Sequence, residues 1–177
     1  MTDSSEPRLP VDDSAREVLR HVTATLAYRA AKALRGVPPE FATFSGGATM
    51  RQPVQIVAHL ADLLEWGVTI ARGDIAWKAG GSGDWDTEVR RFFAGLAALD
   101  AVLAAGGPFK GSPEKLIQGP LADAFTHVGQ IAILRGMAGV PVRPESYARA
   151  EIVRGRVGPD QAASRVEFDG DASASPR

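Results

Sequence analysis

The stretch LADAFTHVGQIAILRGMAG, Leu121–Gly139, has the apolar spacing of a buried helix, yet it carries Asp123, Thr126, His127 and Gln130 close together. At about 100° per residue, Leu121, Phe125, Val128 and Ala132 fall on one helical face. Asp123, His127, Gln130 and Leu134 fall on another, with Thr126 at its edge. The polar groups therefore form a stripe with apolar residues on both sides. Asp123 and His127 stand at i and i+4, which sets their Cβ atoms about 6 Å apart on one face. A carboxylate oxygen and an imidazole nitrogen so placed can converge on one divalent ion at about 2.0–2.2 Å. The same pair also suits an internal hydrogen bond in which the carboxylate fixes the imidazole tautomer. Two ligands leave an ion underbound, so the metal reading needs a third from a neighbouring helix.

The other histidines are His21 and His59. His21 lies well away from the apolar face of its helix and is expected at the surface. His59, beside Leu63 and Trp66, can point inward. The candidate ligand set is therefore His59, Asp123 and His127, with one or more coordination positions left open. Gln130 either lines the pocket, orients Asp123 or bonds another helix. Thr126 is expected to bond back to its own helix. Trp66 is a packing residue that can wall the pocket. Asp62 either contributes to the pocket or faces solvent, and Glu65 is expected on a solvated face. Trp77 and Trp85 read as packing residues.

Outward from this stretch the chain reads as helices and little else. Residues 1–11 are expected to be a flexible arm. A first helix starts near Asp12 to Ser14, carries Val18, Leu19, Val22, Leu26 and Ala30, and stops near Gly36 before Pro38 and Pro39. The connection PPEFATFSGGATMRQP is long for a compact domain, and Phe41, Phe44 and Met50 give it apolar anchors. A second helix starts with Pro53 at its first turn and runs to about Arg72. GDIAWKAGGSGDWD reads as a loop. A third helix begins near Asp84 or Asp86 and ends at Gly106-Gly107-Pro108. SPEKLI is one short helical turn, and Gly119-Pro120 restarts the chain as a fourth helix that ends at Gly139. Residues 141–177 are expected to be a strap, with Tyr147, Ile152 and Val157 as anchors, followed by a polar tail. The fold class is all-α: a four-helix bundle over 12–140 with a non-helical C-terminal extension. The long first connection leaves the up-down order of the helices open.

Two segments resemble a known family. IVAHLADLLEW around His59 and DAFTHVGQIAILRGMAG around His127 are similar to the two histidine motifs of the DinB/YfiT-like metalloprotein superfamily, in the same order. The likeness spans about residues 12–140. It implies a four-helix bundle holding a divalent ion near one end, with His59 and His127 as ligands, often in a homodimer. It also implies a thiol-dependent transferase or isomerase that uses a small thiol such as bacillithiol or mycothiol. The family usually has His where this chain has Asp123. Aspartate still binds zinc or nickel, but it lowers the charge of the site from +2 to +1. Bound water is then less acidic and the pull on a thiolate weaker.

Composition narrows the classes. The chain has 177 residues, suited to one domain, and a formal net charge of −1, so charge makes no case for nucleic acid. It has no cysteine, which excludes disulfides and thiolate zinc sites. The N-terminus has neither the basic start nor the apolar run of a secretory signal. No run of about 18 apolar residues is evident, so a cytoplasmic protein without a membrane span is expected. The leading reading is an enzyme with zinc or nickel, iron being a further candidate, acting on a small molecule. Two His and one carboxylate are also the ligand set of non-haem Fe(II) oxygenases. A third reading is a non-catalytic metal- or ligand-binding bundle.

Overall fold

The computed structural model describes residues 13–105 and 109–168. The arm over 1–11, the Asp12 cap, the Gly106-Gly107-Pro108 stop and the tail from 169 lie outside the described residues. Within them the protein is all-α. The only strand-like feature is an isolated antiparallel bridge between Glu145 and Glu167.

Helix α1 spans Asp13–Leu34, and the turn after it needs the positive φ of Gly36, at 66°. A 3₁₀ turn, Pro39–Thr43, buries Phe41. Helix α2 spans Pro53–Ala71, with Pro53 in the first turn and a reciprocal cap between Gln52 and Gln55. Helix α3 spans Trp85–Ala104 and is capped by Asp84, whose carboxylate accepts the Thr87 N–H at 2.9 Å. The short helix α4, Pro113–Leu116, is capped by Ser112.

The fourth long element differs from the expected restart at Gly119-Pro120. From α4 the chain runs without a break through a π-helical turn, Ile117–Leu121, into α5, Ala122–Met137. Pro120 has no N–H, and its ring would clash with the carbonyl four residues back in a regular α-turn. The wider turn accommodates both defects. Pro120 then packs on Gly67, where an added Cβ would already lie 3.4 Å from the ring.

The helix directions follow from who meets whom. The Arg135 guanidinium near the end of α5 donates to the Ala33 and Arg35 carbonyls at the end of α1, both at 2.9 Å. These two helices run parallel. Arg20 near the start of α1 pairs with Asp100 near the end of α3 at 3.0 Å, so α3 runs the other way. In α2, His59 meets His127 and Gly67 meets Pro120, so α2 is antiparallel to α5 and parallel to α3. The order is up, down, down, up. Helix α1 packs on α3 and α5, and α2 packs on the same two. Leu26, Leu60, Leu64, Phe92, Leu99 and Ile131 fill the space between them, each completely buried.

By length and composition alone, the 19-residue α2 reaches the threshold for a membrane span at a mean hydropathy of 1.3, a feature the sequence reading missed. Here 67% of that window is buried against the rest of the chain, as in a core helix.

The C-terminal strap holds to α1. Glu145 is buried and accepts from the Tyr28 hydroxyl at 2.6 Å, Lys32 at 2.8 Å and Ser164 at 2.9 Å. Tyr147 meets the Tyr28 ring edge-on and lies under Arg29. Val157 is buried in the core and Ile152 packs against it.

Candidate metal centre

Helices α2 and α5 bring the three expected ligands together. His59 comes from the second turn of α2, and Asp123 and His127 come from the first turns of α5. One ligand atom from each lies within 4.8 Å of the others, so the group could hold a metal ion. His59 Nε2 is 3.4 Å from Asp123 Oδ2, and His127 Nε2 is 3.5 Å from Asp123 Oδ1. These separations exceed the usual hydrogen-bond range. Two bonds of about 2.0–2.2 Å at a tetrahedral angle put donor atoms about 3.3–3.6 Å apart. The two N–O separations, each to a different Asp123 oxygen, are compatible with that spacing, and the three ligand atoms together lie within 4.8 Å of one another. The two imidazoles stand edge to face, 4.7 Å between centroids.

Both imidazoles present a usable nitrogen. His127 Nδ1 is 2.7 Å from Gln130 Oε1. With Nδ1–H donating to that oxygen, the lone pair is left on Nε2, the atom facing Asp123. Gln130 thus orients His127 on its own helix, neither Asp123 nor another helix. Burial holds the His59 imidazole below the ordinary histidine range, helped by repulsion from His127 and Arg51 and offset in part by Asp123. The neutral, ligating form of His59 is favoured.

The cleft over these residues has a volume of about 520 Å³. Thr49, Met50 and Arg51 line it from the α1–α2 connection, Ile56 and His59 from α2, and Asp123, His127 and Gln130 from α5. The Asp123 side chain is 46% exposed, against 23% for His59 and 12% for His127, so the site opens to solvent on the Asp123 side.

The α2–α3 connection packs beside His59, outside the lining of this cleft. Because α2 and α3 are parallel, residues 72–84 must climb back along α2. Ala76 bonds Thr69, Gly80 N–H donates to Asp62 at 3.0 Å, and Gly81 approaches Ala58. That register sets Trp77 against His59, centroids 5.9 Å apart, with Trp66 behind it at 5.7 Å.

The remaining candidates fall elsewhere. Trp66 reaches the site only through Trp77 and also faces Gly119 of the π-turn. Thr126 is exposed, bonds back to Ala122 at 3.1 Å and does not line the cleft. Asp62 is neither a ligand nor a surface group. It is 4% exposed and joins Glu65 and the fully buried Glu88 around Arg91, which donates to them at 2.8, 2.9 and 2.6 Å. The arrangement ties the climbing connection to α2 and α3. His21 is exposed, as expected. Arg51 and Trp77 were not singled out as site residues, because both sit in segments without a period. A lone tryptophan in a Gly-rich connection beside a histidine helix was the available signal for Trp77.

No family model, no curated protein and no solved structure matches this chain.

Proposed function

We propose that the protein is a divalent-metal-dependent enzyme acting on a small molecule, with His59, Asp123 and His127 as ligands. We further read the fold as a four-helix bundle of the DinB/YfiT-like type and the chemistry as transfer or isomerisation assisted by a small thiol. One observation carries the reading: two imidazoles and a carboxylate from two helices offer ligand atoms within 4.8 Å of one another on the wall of an open cleft. Zinc or nickel suits two imidazoles and one carboxylate. The ion would supply a Lewis acid at the open position. The chain's own residues would hold it and shape the cleft. Gln130 keeps His127 in the ligating tautomer, Trp77 and Trp66 shield the His59 side, and Asp123 leaves the solvent side open for a substrate.

The test is metal content by mass spectrometry on protein purified without a chelating tag, for wild type, Asp123→Ala and His59→Ala. About one equivalent in wild type, lost in both variants, is the expected result. Absence of metal in wild type, with no uptake at micromolar zinc or nickel, would overturn it and favour a ligand-binding bundle.

A further inference from the structure

We propose that the cleft selects a small molecule carrying an anionic group, such as a carboxylate, and that Arg51 is the residue that selects it. The proposal rests on the metal reading for the opposite end of that molecule and on the cleft itself for the rest.

Setting aside the three ligands and the apolar Met50 and Ile56, the cleft is walled by Thr49, Arg51 and Gln130. Each offers a hydrogen-bond donor. Gln130 commits its carbonyl oxygen to His127, which leaves its amide N–H groups to the cleft. Arg51 makes no hydrogen bond or ion pair with any described residue. Asp123 is the only acidic side chain on this wall, and its two oxygens face the imidazoles. These donors favour a ligand that brings acceptors.

Charge points the same way. An ion of charge +2 with Asp123 leaves +1, and Arg51 adds another positive charge to the same cleft. The nearby acids do not answer it. Asp62, Glu65 and Glu88 are all bonded to Arg91, and Asp62 also takes the Gly80 N–H. Asp62 lines the adjoining hollow that Arg51 and His59 share, but its side chain is turned into that network. A guanidinium without an anion beside a cation site is repulsive on its own account. A carboxylate gripped by Arg51, with a second donor atom at the open coordination position, removes the repulsion and gains charge-assisted hydrogen bonds. A cavity of about 520 Å³ has room for such a molecule.

The experiment uses the full chain loaded with cobalt(II), whose visible spectrum reports ligands entering the coordination sphere. Two probes of equal length are compared, butyrohydroxamate and succinic monohydroxamate. They differ only in a terminal methyl against a carboxylate. Wild type should bind the carboxylate probe about tenfold more tightly, an advantage that shrinks as salt is raised. Arg51→Gln should bring the ratio below about twofold while cobalt binds as well or better, since a repulsive charge has been removed. Equal affinity for the two probes in wild type, or a preference that survives in Arg51→Gln, would overturn the proposal. If cobalt fails to bind, the metal reading falls, and the comparison moves to the His59 ring signals of the metal-free protein titrated with succinate. A saturable shift lost in Arg51→Gln supports anion selection there, and no saturable shift in wild type overturns it.

Discussion

On the proposed metal reading, Gln130→Met isolates the contact that prepares His127 for an ion. Methionine keeps the length and much of the volume of glutamine but removes the carbonyl oxygen that stands 2.7 Å from His127 Nδ1. The His127 side chain is only 12% exposed, so water replaces that acceptor poorly. Two consequences follow for the ion. The ring loses the bond that holds its lone pair on Nε2, and Nε2 becomes a weaker base because its partner N–H is no longer polarised. Loss of such an orienting partner typically costs about 10- to 100-fold in metal affinity, or about 1.4–2.7 kcal/mol. Competition against a chelator of known zinc affinity measures this directly. Gln130→Glu is the informative companion, because a carboxylate accepts the same hydrogen bond more strongly and should preserve or raise affinity. Zinc affinity within twofold of wild type in Gln130→Met, with the fold intact by circular dichroism, would refute the role given to Gln130.

Two further outcomes test the packing. The Glu145 carboxyl is pushed up by burial, but hydrogen bonds from Lys32, Tyr28 and Ser164 outweigh this and hold it below 4.5. The unfolded chain therefore takes up the proton first. This contribution to stability is complete above about pH 4.5 and is lost as pH falls through the folded value. The melting temperature should drop in that acid range, and Glu145→Gln should lower it at pH 7 and flatten the acid limb. Glu167 still pairs with Lys32 at 2.7 Å, so the cost at pH 7 is about 2 kcal/mol, below the 3–5 kcal/mol of a fully stranded buried charge. An unchanged melting profile would show that the Glu145 network adds nothing to stability. In α3, a Cβ added at Gly95 would lie 2.7 Å from Leu64 Cβ across the α2–α3 contact. Gly95→Ala should cost about 1–3 kcal/mol in denaturant unfolding despite its better helix propensity, and a stabilised variant would mean that the two helices pack less closely.

The helices and the candidate ligands were legible for the same reason: both depend on short-range periodicity. Pro53, Asp84 and Gly36 mark helix ends by local chemistry, and each does so in the structure. His59, Asp123 and His127 are placed by the 3.6-residue turn and the apolar face beside them. Pro120 misled for a related reason. A proline usually ends a helix, and no local rule signals that a π-turn will carry the chain through. Trp77 was hard to place because its position depends on helix direction, and Arg51 because it lies on the non-periodic α1–α2 connection. With α2 and α3 parallel, about 13 residues over 72–84 must span the length of α2. At about 3.3 Å per extended residue they can do so against about 28 Å of helix. Only the register of that climb decides that Trp77 lands on His59 rather than on solvent. The strap was readable through Tyr147 and Val157, but its polar fastening at Glu145 pairs residues more than a hundred positions apart.

On the proposed metal reading, the position of Asp123 explains how a carboxylate could serve where an imidazole would be the softer ligand. Burying an ionised carboxylate is costly, and the cost rises with the depth of the site. Asp123 sits at the open edge of the cleft, with 46% of its side chain exposed, while the two imidazoles occupy the deeper positions. The residue with the most to lose from desolvation is thus the one nearest water. Its two oxygens also do what a single imidazole nitrogen cannot. One faces His59 and the other faces His127, at nearly equal distances. The two imidazoles and the carboxylate already converge on one place, so less ordering would remain to be done if an ion binds. On the proposed metal reading the carboxylate would lower the Lewis acidity of the ion, and Arg51 would add a separate pull on an anion in the same cleft. On that reading Asp123 and Arg51 would act together: the carboxylate would lower the charge beside the ion, and the guanidinium would supply a positive charge elsewhere in the cleft.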